Sequence, residues 1–382
     1  MRIGFNVEQL FYRAPGGTGR YSARLASTLA AQFSSDTVVP FSAWHAGEEI
    51  ASVFRRSELK NANLAPLARL PLPRPVLFDA WHYLGWPDLG TFSPDLRSAD
   101  VVHVPFPAVP PVRQPLVVTV FDAGFAVMPE AYPRRGLRFH TRALQLAARR
   151  AGAVLTATRA AAAEIAAFSP VPPEQLRVIP LGVDHQRPDP AQVQEALSRH
   201  QLAGTPYILW VGSLEPRKGL ATLIKAFAKL VKAAALPHRL VLVGPLGWLH
   251  EGLVPDEERA LLGERLRTLG HVDEADLRSL YAGASVLALP SQHEGFGLPV
   301  LEAMVQGTPV VCSDIAALAE VSGGAARLVP PGEVDLWAEA LAKLATDEAS
   351  RAVLVEAGYE RAAQFSWERM AAQTHAVYEE LV

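Results

Sequence analysis

The sequence predicts an α/β fold made of two domains, each a parallel sheet covered by helices. The chain has 382 residues, which exceeds what one hydrophobic core usually serves. Short apolar runs alternate along it with longer stretches of helical period. The short runs are apolar on both faces, as expected of parallel strands that helices cover. Together these observations predict two open α/β domains.

The short apolar runs are the predicted strands of the two sheets. They are residues 3–7, 101–104, 116–121, 153–156, 177–180, 207–211, 239–243, 286–289 and 310–312. Helical period lies between them, for example at Leu223, Phe227 and Leu230. Residues 45–98 are rich in Pro, Trp and charge, and we interpret them as a long excursion from the sheet.

The alternation of strands and helices breaks once, near the middle of the chain. The segment LGVDHQRPDPAQ follows the strand 177–180, and its prolines and polar residues are typical of a linker. A new series begins at Tyr207. We place the boundary near residue 185, which gives domains 1–184 and 185–366. Ligands of open α/β sheets bind beyond the carboxyl ends of the strands, so two facing halves are expected to form a cleft.

Composition and charge exclude several classes of protein. The net charge of −3 provides no overall attraction to nucleic acid or to membranes. The single cysteine, Cys312, lies in the apolar run PVVC and is predicted to be a buried structural thiol. The chain starts on the strand-like MRIGFNV without a secretory signal pattern, and no apolar stretch approaches the ~20 residues of a membrane span. We expect a cytoplasmic protein.

A glycine-rich segment, APGGTG at residues 14–19, follows the first predicted strand. It precedes an amphipathic helix that we expect to begin near Arg20. Glycines allow close approach of a ligand to the backbone, and a helix N-terminus offers N–H groups to an anion. The pattern is not GxGxxG and lacks an acidic partner, which argues against a dinucleotide-binding oxidoreductase. A simple glycine turn between strand and helix is the alternative.

The segment WVGSLEPRKGL, residues 210–220, places two adjacent cations beyond a strand. Arg217 binds phosphate oxygens through forked hydrogen bonds, and Lys218 acts as a mobile point charge. Such a pair is usually solvated surface when it stands alone. Its position at the carboxyl end of a strand favours binding of a diphosphate.

The segment PSQHEGFGLPVLEAMVQGTPVV, residues 290–311, combines two carboxylates with a glycine loop. Glu294 precedes the loop, and Pro299 is typical of the first turn of a helix. We expect Glu302 in that first turn, where the helix dipole favours a carboxylate. Both acids are suited to accept hydrogen bonds from sugar hydroxyls. The alternative is a capped surface helix with incidental acids.

These segments together closely resemble the retaining family 4 glycosyltransferases, also described as glycosyl transferases group 1. The resemblance rests on SLEPRKG and EGFGLPVLEAMVQGTPVV, with support from GGTGRY, VIPLGVD and LGHVDEADLRSLYAGASVLALPS. It implies the GT-B fold, in which two Rossmann-like domains with parallel sheets face each other across a cleft. By the same resemblance, residues 367–382 form a helix that completes the acceptor-side domain, and 185–366 bind the sugar nucleotide.

The resemblance also implies roles for individual residues. Arg217 and Lys218 would bind the donor diphosphate and stabilise the charge that grows as the glycosidic bond breaks, without a metal or other cofactor. Glu302 would hold the ribose, and Glu294 would position the transferred sugar. The remaining residues expected to contact the donor are Gly16, Gly17, Gly212, Ser213, Val272, Phe296, Gly297 and Leu298.

One position departs from the family pattern. Many relatives have a His-Asp pair where this chain has Phe121 and Asp122. Phe121 cannot transfer a proton, so this role is absent or moved, and His103 at the end of the preceding strand is a further candidate. Asp122 is a candidate catalytic residue that would orient the acceptor or the sugar, with a capping role as the alternative. The change leaves open a weakly active or non-catalytic sugar-nucleotide-binding protein.

The expected reaction is hexose transfer with retention to a hydroxyl of a glycan or lipid-linked acceptor. In the mechanism usually proposed for this family, the leaving diphosphate itself deprotonates the incoming hydroxyl, so no carboxylate pair of the glycosidase type is required. The segment from TVFD to PEAYP resembles bacterial mannosyltransferases of polysaccharide assembly. This favours GDP-mannose as donor, with a UDP-sugar next. No nucleic acid partner is expected.

A local basic patch stands out against the acidic net charge. The segment YPRRGLRFHTRALQLAARRAG is predicted to be a helix with Arg135, Arg138, Arg142 and Arg149 on one face. Relatives with lipid-linked acceptors often present such a helix to anionic membranes. Peripheral association with the inner face of a membrane is therefore a hypothesis. A solvated arginine face is the alternative.

Overall fold

The structure is a computed structural model, and it describes residues 1–13, 15–249 and 251–382. The chain divides into two units. The first comprises residues 1–127, 134–182 and 366–382, and the second comprises 128–133 and 183–365. Each unit contains one parallel sheet. The predicted α/β class with two parallel sheets is therefore confirmed.

The described residues of the first unit form a seven-stranded sheet with the order β3-β2-β1-β4-β5-β6-β7. Its strands are β1 (Arg2–Asn6), β2 (Thr37–Ser42), β3 (Ala68–Arg69), β4 (Val101–Val104), β5 (Leu116–Thr119), β6 (Ala153–Thr156) and β7 (Leu176–Val178). The order reverses between β1 and β4. Sequence reasoning missed β2, which contains Pro40, a residue without the N–H that a ladder needs.

Helices cover this sheet and fill the connections. They are α1 (Gly16–Gln32), α2 (Gly47–Arg56), α3 (Arg74–Asp79), α4 (Pro94–Arg97), α5 (Gly124–Val127), α6 (Arg134–Arg150) and α7 (Arg159–Phe168). Residues 45–98, all of which the structure describes, contain short helices and the two-residue strand β3.

The start of α1 corrects the expected glycine loop. The helix begins at Gly16 and not near Arg20, and a 3-10 turn (Glu8–Phe11) lies between β1 and the helix. The glycines therefore belong to the first turn of α1, with Pro15 at the N-cap. Ala14, the first residue of the motif, lies outside the described residues.

The second unit has a six-stranded sheet with the order β10-β9-β8-β11-β12-β13. Its strands are β8 (Tyr207–Val211), β9 (Arg239–Val243), β10 (Leu266–Gly270), β11 (Val286–Leu289), β12 (Val310–Ser313) and β13 (Arg327–Val329). Sequence reasoning missed the edge strands β10 and β13, whose residues are mostly half-buried or exposed. A strand covered on fewer sides needs no continuous apolar run.

The helices of the second unit pack on both faces of its sheet. They are α8 (Pro190–Arg199), α9 (Leu220–Lys232), α10 (Asp256–Leu262), α11 (Glu274–Gly283), α12 (Leu298–Val305), α13 (Ala316–Ser322), α14 (Val334–Thr346) and α15 (Glu348–Ala362). The predicted stripe of Leu223, Phe227 and Leu230 on α9 lies in one buried cluster with Trp210 of β8 and Trp337 of α14. Burial of these side chains supplies the main stabilisation of the unit.

Cys312 is fully buried in β12, as predicted. Burial raises the pKa of its thiol to about 12, so the thiol is protonated at neutral pH and unsuited to act as a nucleophile.

The C-terminal helix α16 (Trp367–Leu381) belongs to the first unit. It is fixed there by buried polar contacts as well as by packing. His375 Nε2 lies 2.7 Å from Asp36 Oδ2, and Tyr378 is hydrogen-bonded to Nδ1 of His103 on β4. Within the described part of the chain, no helix has both the length and the hydrophobicity that crossing a membrane requires.

His103 is the centre of a buried relay of hydrogen bonds. Its Nε2 lies 2.8 Å from Oγ1 of Thr119, which lies 3.0 Å from the hydroxyl of Tyr21. Burial lowers the pKa of His103 to about 3, so the imidazole is neutral and bridges Tyr378 to the sheet. This arrangement gives His103 a structural role that joins α16 to β4 and β5.

We predict that Tyr378→Phe destabilises the first unit. The substitution keeps the ring but leaves Nδ1 of the buried His103 without its hydrogen-bond partner, which costs about 1–3 kcal/mol of unfolding free energy. Chemical denaturation followed by tryptophan fluorescence measures this loss. Tyr83→Phe is the matched control, because Tyr83 is exposed. Equal stability of Tyr378→Phe and the wild type would contradict the proposed anchor.

Candidate functional site

The second sheet brings two distant loops together at the point where its strand order reverses. Strands β8 and β11 are parallel neighbours in the sheet, so the loops that follow them emerge side by side. The amide of Gln292 donates to the carbonyl of Arg217 at 2.8 Å. Gly219 has a φ of +64°, and a Cβ there would overlap the carbonyl oxygen of Pro290. Only glycine permits this approach of the two loops.

The two predicted cations share one predicted carboxylate. Lys218 Nζ lies 2.7 Å from Oε1 of Glu294, and Arg217 Nη1 lies 3.6 Å from Oε2. Ser291 Oγ also donates to Oε1, at 2.8 Å. Burial alone would raise the pKa of Glu294, but the adjacent Lys218 and Arg217 lower it below its usual range. The carboxylate is therefore ionised between its two cations.

Glu215 is a second carboxylate of this network, and sequence reasoning missed it. The residue is fully buried. Its Oε1 accepts hydrogen bonds from Nη2 of Arg217 at 2.9 Å and from Oγ of Ser213 at 2.8 Å. The signal was present in SLEPRKG, where an acid stands two residues before the first cation. The spacing does not show that the Glu215 side chain is buried and hydrogen-bonded to Arg217.

The glycine loop ends in the N-terminus of α12. Gly297 is its N-cap with a φ of +92°, and a Cβ there would overlap Leu318. The first N–H groups of a helix have no partner within the helix. The predicted donor-binding amides of Phe296, Gly297 and Leu298 thus lie at a helix terminus that favours negative charge.

Glu302 lies elsewhere on α12 than predicted. It is the fifth residue of the helix and therefore outside the first turn, so the prediction that the dipole stabilises it there was wrong. Its Oε2 instead accepts a hydrogen bond at 2.7 Å from the hydroxyl of Tyr281 on α11. Tyr281 is almost completely buried. The phenol fixes the orientation of a half-buried carboxylate.

The remaining donor-side residues lie in connections of the second unit. Gly212 and Ser213 directly follow β8, and the Gly212 amide donates to the carbonyl of Val243 at 3.0 Å. Val272 lies half-buried between β10 and α11. Their contacts with a donor stay predictions.

The first unit contains the other candidate residues, Asp122, Gly16 and Gly17. Asp122 Oδ1 accepts a hydrogen bond from the amide of Gly124 at 2.9 Å, at the start of α5. The ring of Phe121 packs edge-on against Tyr21, with centroids 5.1 Å apart. Asp122 therefore has the capping contact that was its alternative role. A catalytic role for Asp122 and donor contacts of Gly16 and Gly17 stay predictions.

Comparisons with known proteins identify both halves of the chain. Residues 194–361 match the family model Glycosyl transferases group 1, and residues 15–187 match Glycosyltransferase Family 4. The chain is 30% identical over 380 residues to O-antigen chain mannosyltransferase B of Escherichia coli, covering 99% of each. It is 35% identical over 240 residues to MMP alpha-(1->4)-mannosyltransferase of Mycolicibacterium hassiacum, covering 62% of this chain and 56% of that protein.

Solved structures extend the similarity to the fold. Anabaena Alr3699/HepE in complex with UDP and glucose matches with a TM-score of 0.74 and 20% identity, covering 100% of both chains. WaaG, a glycosyltransferase involved in lipopolysaccharide biosynthesis, matches with a TM-score of 0.70 and 19% identity, covering 100% of this chain and 99% of that one. The resemblance found in the sequence motifs is thus confirmed, and the chain belongs to the family 4 glycosyltransferases, with the GT-B fold.

Proposed function

We propose that this glycosyltransferase moves a hexose, with retention and without a metal, from a nucleoside diphosphate sugar to a hydroxyl of a glycan or lipid-linked acceptor. The observation that carries the proposal is the pairing of Arg217 and Lys218 on Glu294 where the loops after β8 and β11 meet. Two cations held at this edge of a parallel sheet are suited to a diphosphate.

In the proposed site the two cations act on the leaving group. Negative charge grows on the diphosphate as the glycosidic bond breaks, and cations that are already in place stabilise that charge without reorganisation. The amides at the start of α12 add partial positive charge. Glu302, oriented by Tyr281, is suited to accept hydrogen bonds from the ribose hydroxyls, and Glu294 to position the transferred sugar.

GDP-mannose is the proposed donor, with a UDP-sugar as the second candidate. Two relatives support mannose, since one is an O-antigen chain mannosyltransferase and the other an α-(1->4)-mannosyltransferase. The complex of Anabaena Alr3699/HepE with UDP-glucose supports the second candidate.

The proposed proton acceptor is the leaving diphosphate. Phe121 has no group that can take a proton, and its ring packs on Tyr21. His103 is neutral and bonded to Tyr378 and Thr119. A diphosphate oxygen on the same face as the incoming hydroxyl needs neither residue. Because Phe121 cannot transfer a proton, a weakly active or non-catalytic sugar-nucleotide-binding protein is the second candidate function.

We propose that the first unit binds the anionic surface of a membrane through α6 and an adjacent apolar tip (Tyr83, Leu84 and Trp86). Arg135, Arg138 and Arg149 of α6 are exposed, as are all three residues of the tip. Arg142 Nε donates to the carbonyl of His82 at 2.9 Å, which ties α6 to the base of the tip. Aromatic side chains beside arginines are typical of membrane-interface contacts.

A thermal-shift series tests the donor. A ligand that binds the native state raises the melting temperature in proportion to the logarithm of its concentration over Kd. We expect GDP-mannose to raise it most, and UDP-glucose and ADP-glucose to raise it less at equal concentration. A larger shift with UDP-glucose would transfer the proposal to UDP-sugars. No shift with any sugar nucleotide would refute the proposed function.

Substitution of the cations tests the diphosphate site. We expect Arg217→Ala and Lys218→Ala each to lower donor turnover, measured as sugar-nucleotide hydrolysis, by at least about ten-fold, or roughly 1.4 kcal/mol of transition-state stabilisation. Lys229→Ala is the control, because Lys229 is an exposed cation paired with Asp335 on the second unit. Near-normal turnover in both site variants would exclude this role.

Vesicle co-sedimentation tests membrane binding. Arg149 and Arg150 are adjacent and exposed in the last turn of α6. Each arginine near an anionic surface contributes about 1 kcal/mol, so Arg149→Gln with Arg150→Gln should weaken binding to phosphatidylglycerol vesicles by about thirty-fold. Arg55→Gln with Arg56→Gln removes a second exposed adjacent pair, at the end of α2, and should leave binding unchanged. The proposal fails if the wild type does not sediment with these vesicles at low salt, or binds phosphatidylcholine equally well.

A further inference from the structure

Glu215 is fully buried beside the donor-side cations, yet the reaction proposed above assigns it no role. Its carboxylate lies next to Arg217, and the side chain of Arg217 is itself only 16% exposed. We propose that Glu215 is the positioning residue of this site, and that it holds the guanidinium of Arg217 in the orientation that binds the donor diphosphate. This inference rests on the proposed function.

Two nitrogens of the Arg217 guanidinium are anchored on different groups. Nη2 donates to Oε1 of Glu215 at 2.9 Å, while Nη1 donates to the carbonyl of His293 at 3.4 Å and lies 3.6 Å from Oε2 of Glu294. Because the guanidinium is planar, anchors on both nitrogens determine its plane and its rotation. A guanidinium has five donors, so these anchors are compatible with forked binding of a phosphate.

Each of the two carboxylates makes its shortest contact with a different cation. Glu294 makes its short contact with Lys218, at 2.7 Å, and lies 3.6 Å from Arg217. Glu215 makes its short contact with Arg217. If Glu215 lost its charge, Glu294 would be the nearest carboxylate for both cations. Arg217 would then be drawn toward Glu294 and away from its present orientation.

The position of Glu215 is set by the backbone and by Ser213. Glu215 is extended, with φ −144° and ψ 155°, directly before the 3-10 turn Pro216–Lys218. The preceding residue, Leu214, donates to the carbonyl of Pro245 at 2.9 Å. Ser213 Oγ donates to the same carboxylate oxygen that binds Arg217. The carboxylate is thus already ordered in the folded protein, so no free energy is needed to order it during the reaction.

The alternative is a purely structural role, in which Glu215 stabilises the loop and has no particular effect on Arg217. The two roles differ in whether the effect of a substitution at Glu215 depends on the presence of Arg217. A structural role would lower activity by the same factor whether or not Arg217 is present. A positioning role acts through the guanidinium and disappears when the guanidinium is removed.

A double-mutant cycle on the full-length protein tests the inference. Glu215→Gln retains the shape of the side chain and removes its charge. We expect it to lower sugar-nucleotide hydrolysis by about ten- to one hundred-fold, and to have less than about a two-fold effect in the Arg217→Ala background. Affinity for the nucleoside diphosphate should fall in parallel, while affinity for the nucleoside without phosphates should not change. Glu195→Gln is the control, because it breaks an exposed carboxylate–arginine pair on α8.

A milder variant keeps the test decisive if Glu215→Gln does not fold. Ser213→Ala removes one hydrogen bond to the carboxylate, and it should give a smaller loss that also vanishes in the Arg217→Ala background. If Glu215→Gln lowers activity by the same factor with and without Arg217, the positioning role is wrong, while the proposed function is unaffected. A wild-type protein that neither binds nor hydrolyses any sugar nucleotide would overturn the proposed function, and this inference with it.

Discussion

The ion pair between Lys218 and Glu294 joins the loops after β8 and β11, on which the candidate site depends. The loops are far apart in the chain, and they meet because β8 and β11 are neighbours at the reversal of the strand order. A carboxylate as buried as Glu294 is tolerated only with cations and hydrogen bonds around it, and Lys218, Arg217 and Ser291 provide them. The start of α12 follows directly from the loop that this pair holds.

The same network pairs each buried or half-buried cation with a carboxylate. Arg217 and Lys218 are paired with the carboxylates of Glu215 and Glu294. Balanced charges lower the cost of burying two cations side by side. The hydrogen bonds to Glu215 and to the carbonyl of His293 restrict the orientation of the Arg217 guanidinium. Such preorganisation is what the proposed stabilisation of a leaving diphosphate requires.

The first unit treats its polar residues differently. Two of its polar side chains make hydrogen bonds within the fold. His103 bridges Tyr378 and Thr119, and Asp122 caps the start of α5. Phe121 packs on Tyr21 in place of a proton-transferring side chain. Exposed arginines of α6 and the apolar tip are instead directed to solvent.

Apolar runs, helical period and contiguous motifs are local properties, so they were sufficient to predict the α/β class, most of the buried strands, the basic helix α6 and the family. The family resemblance in turn implied the C-terminal helix α16. The motifs also identified Arg217, Lys218 and Glu294, which the structure brings together. The remaining features depend on how the elements pack. Strands β10 and β13 were not predicted because edge strands need no continuous apolar run. Strand β2 was not predicted because Pro40 interrupts its sequence.

Partners that lie far apart in the chain have no local signature. The bond from Tyr281 to Glu302 crosses between two helices, and the burial of Glu215 depends on how its loop packs after β8. The helix α1 begins at Gly16, after the 3-10 turn Glu8–Phe11. Spacing along a chain can name the groups that do the chemistry, but the orientation of each group depends on neighbours that only the packed sheet brings within hydrogen-bonding distance.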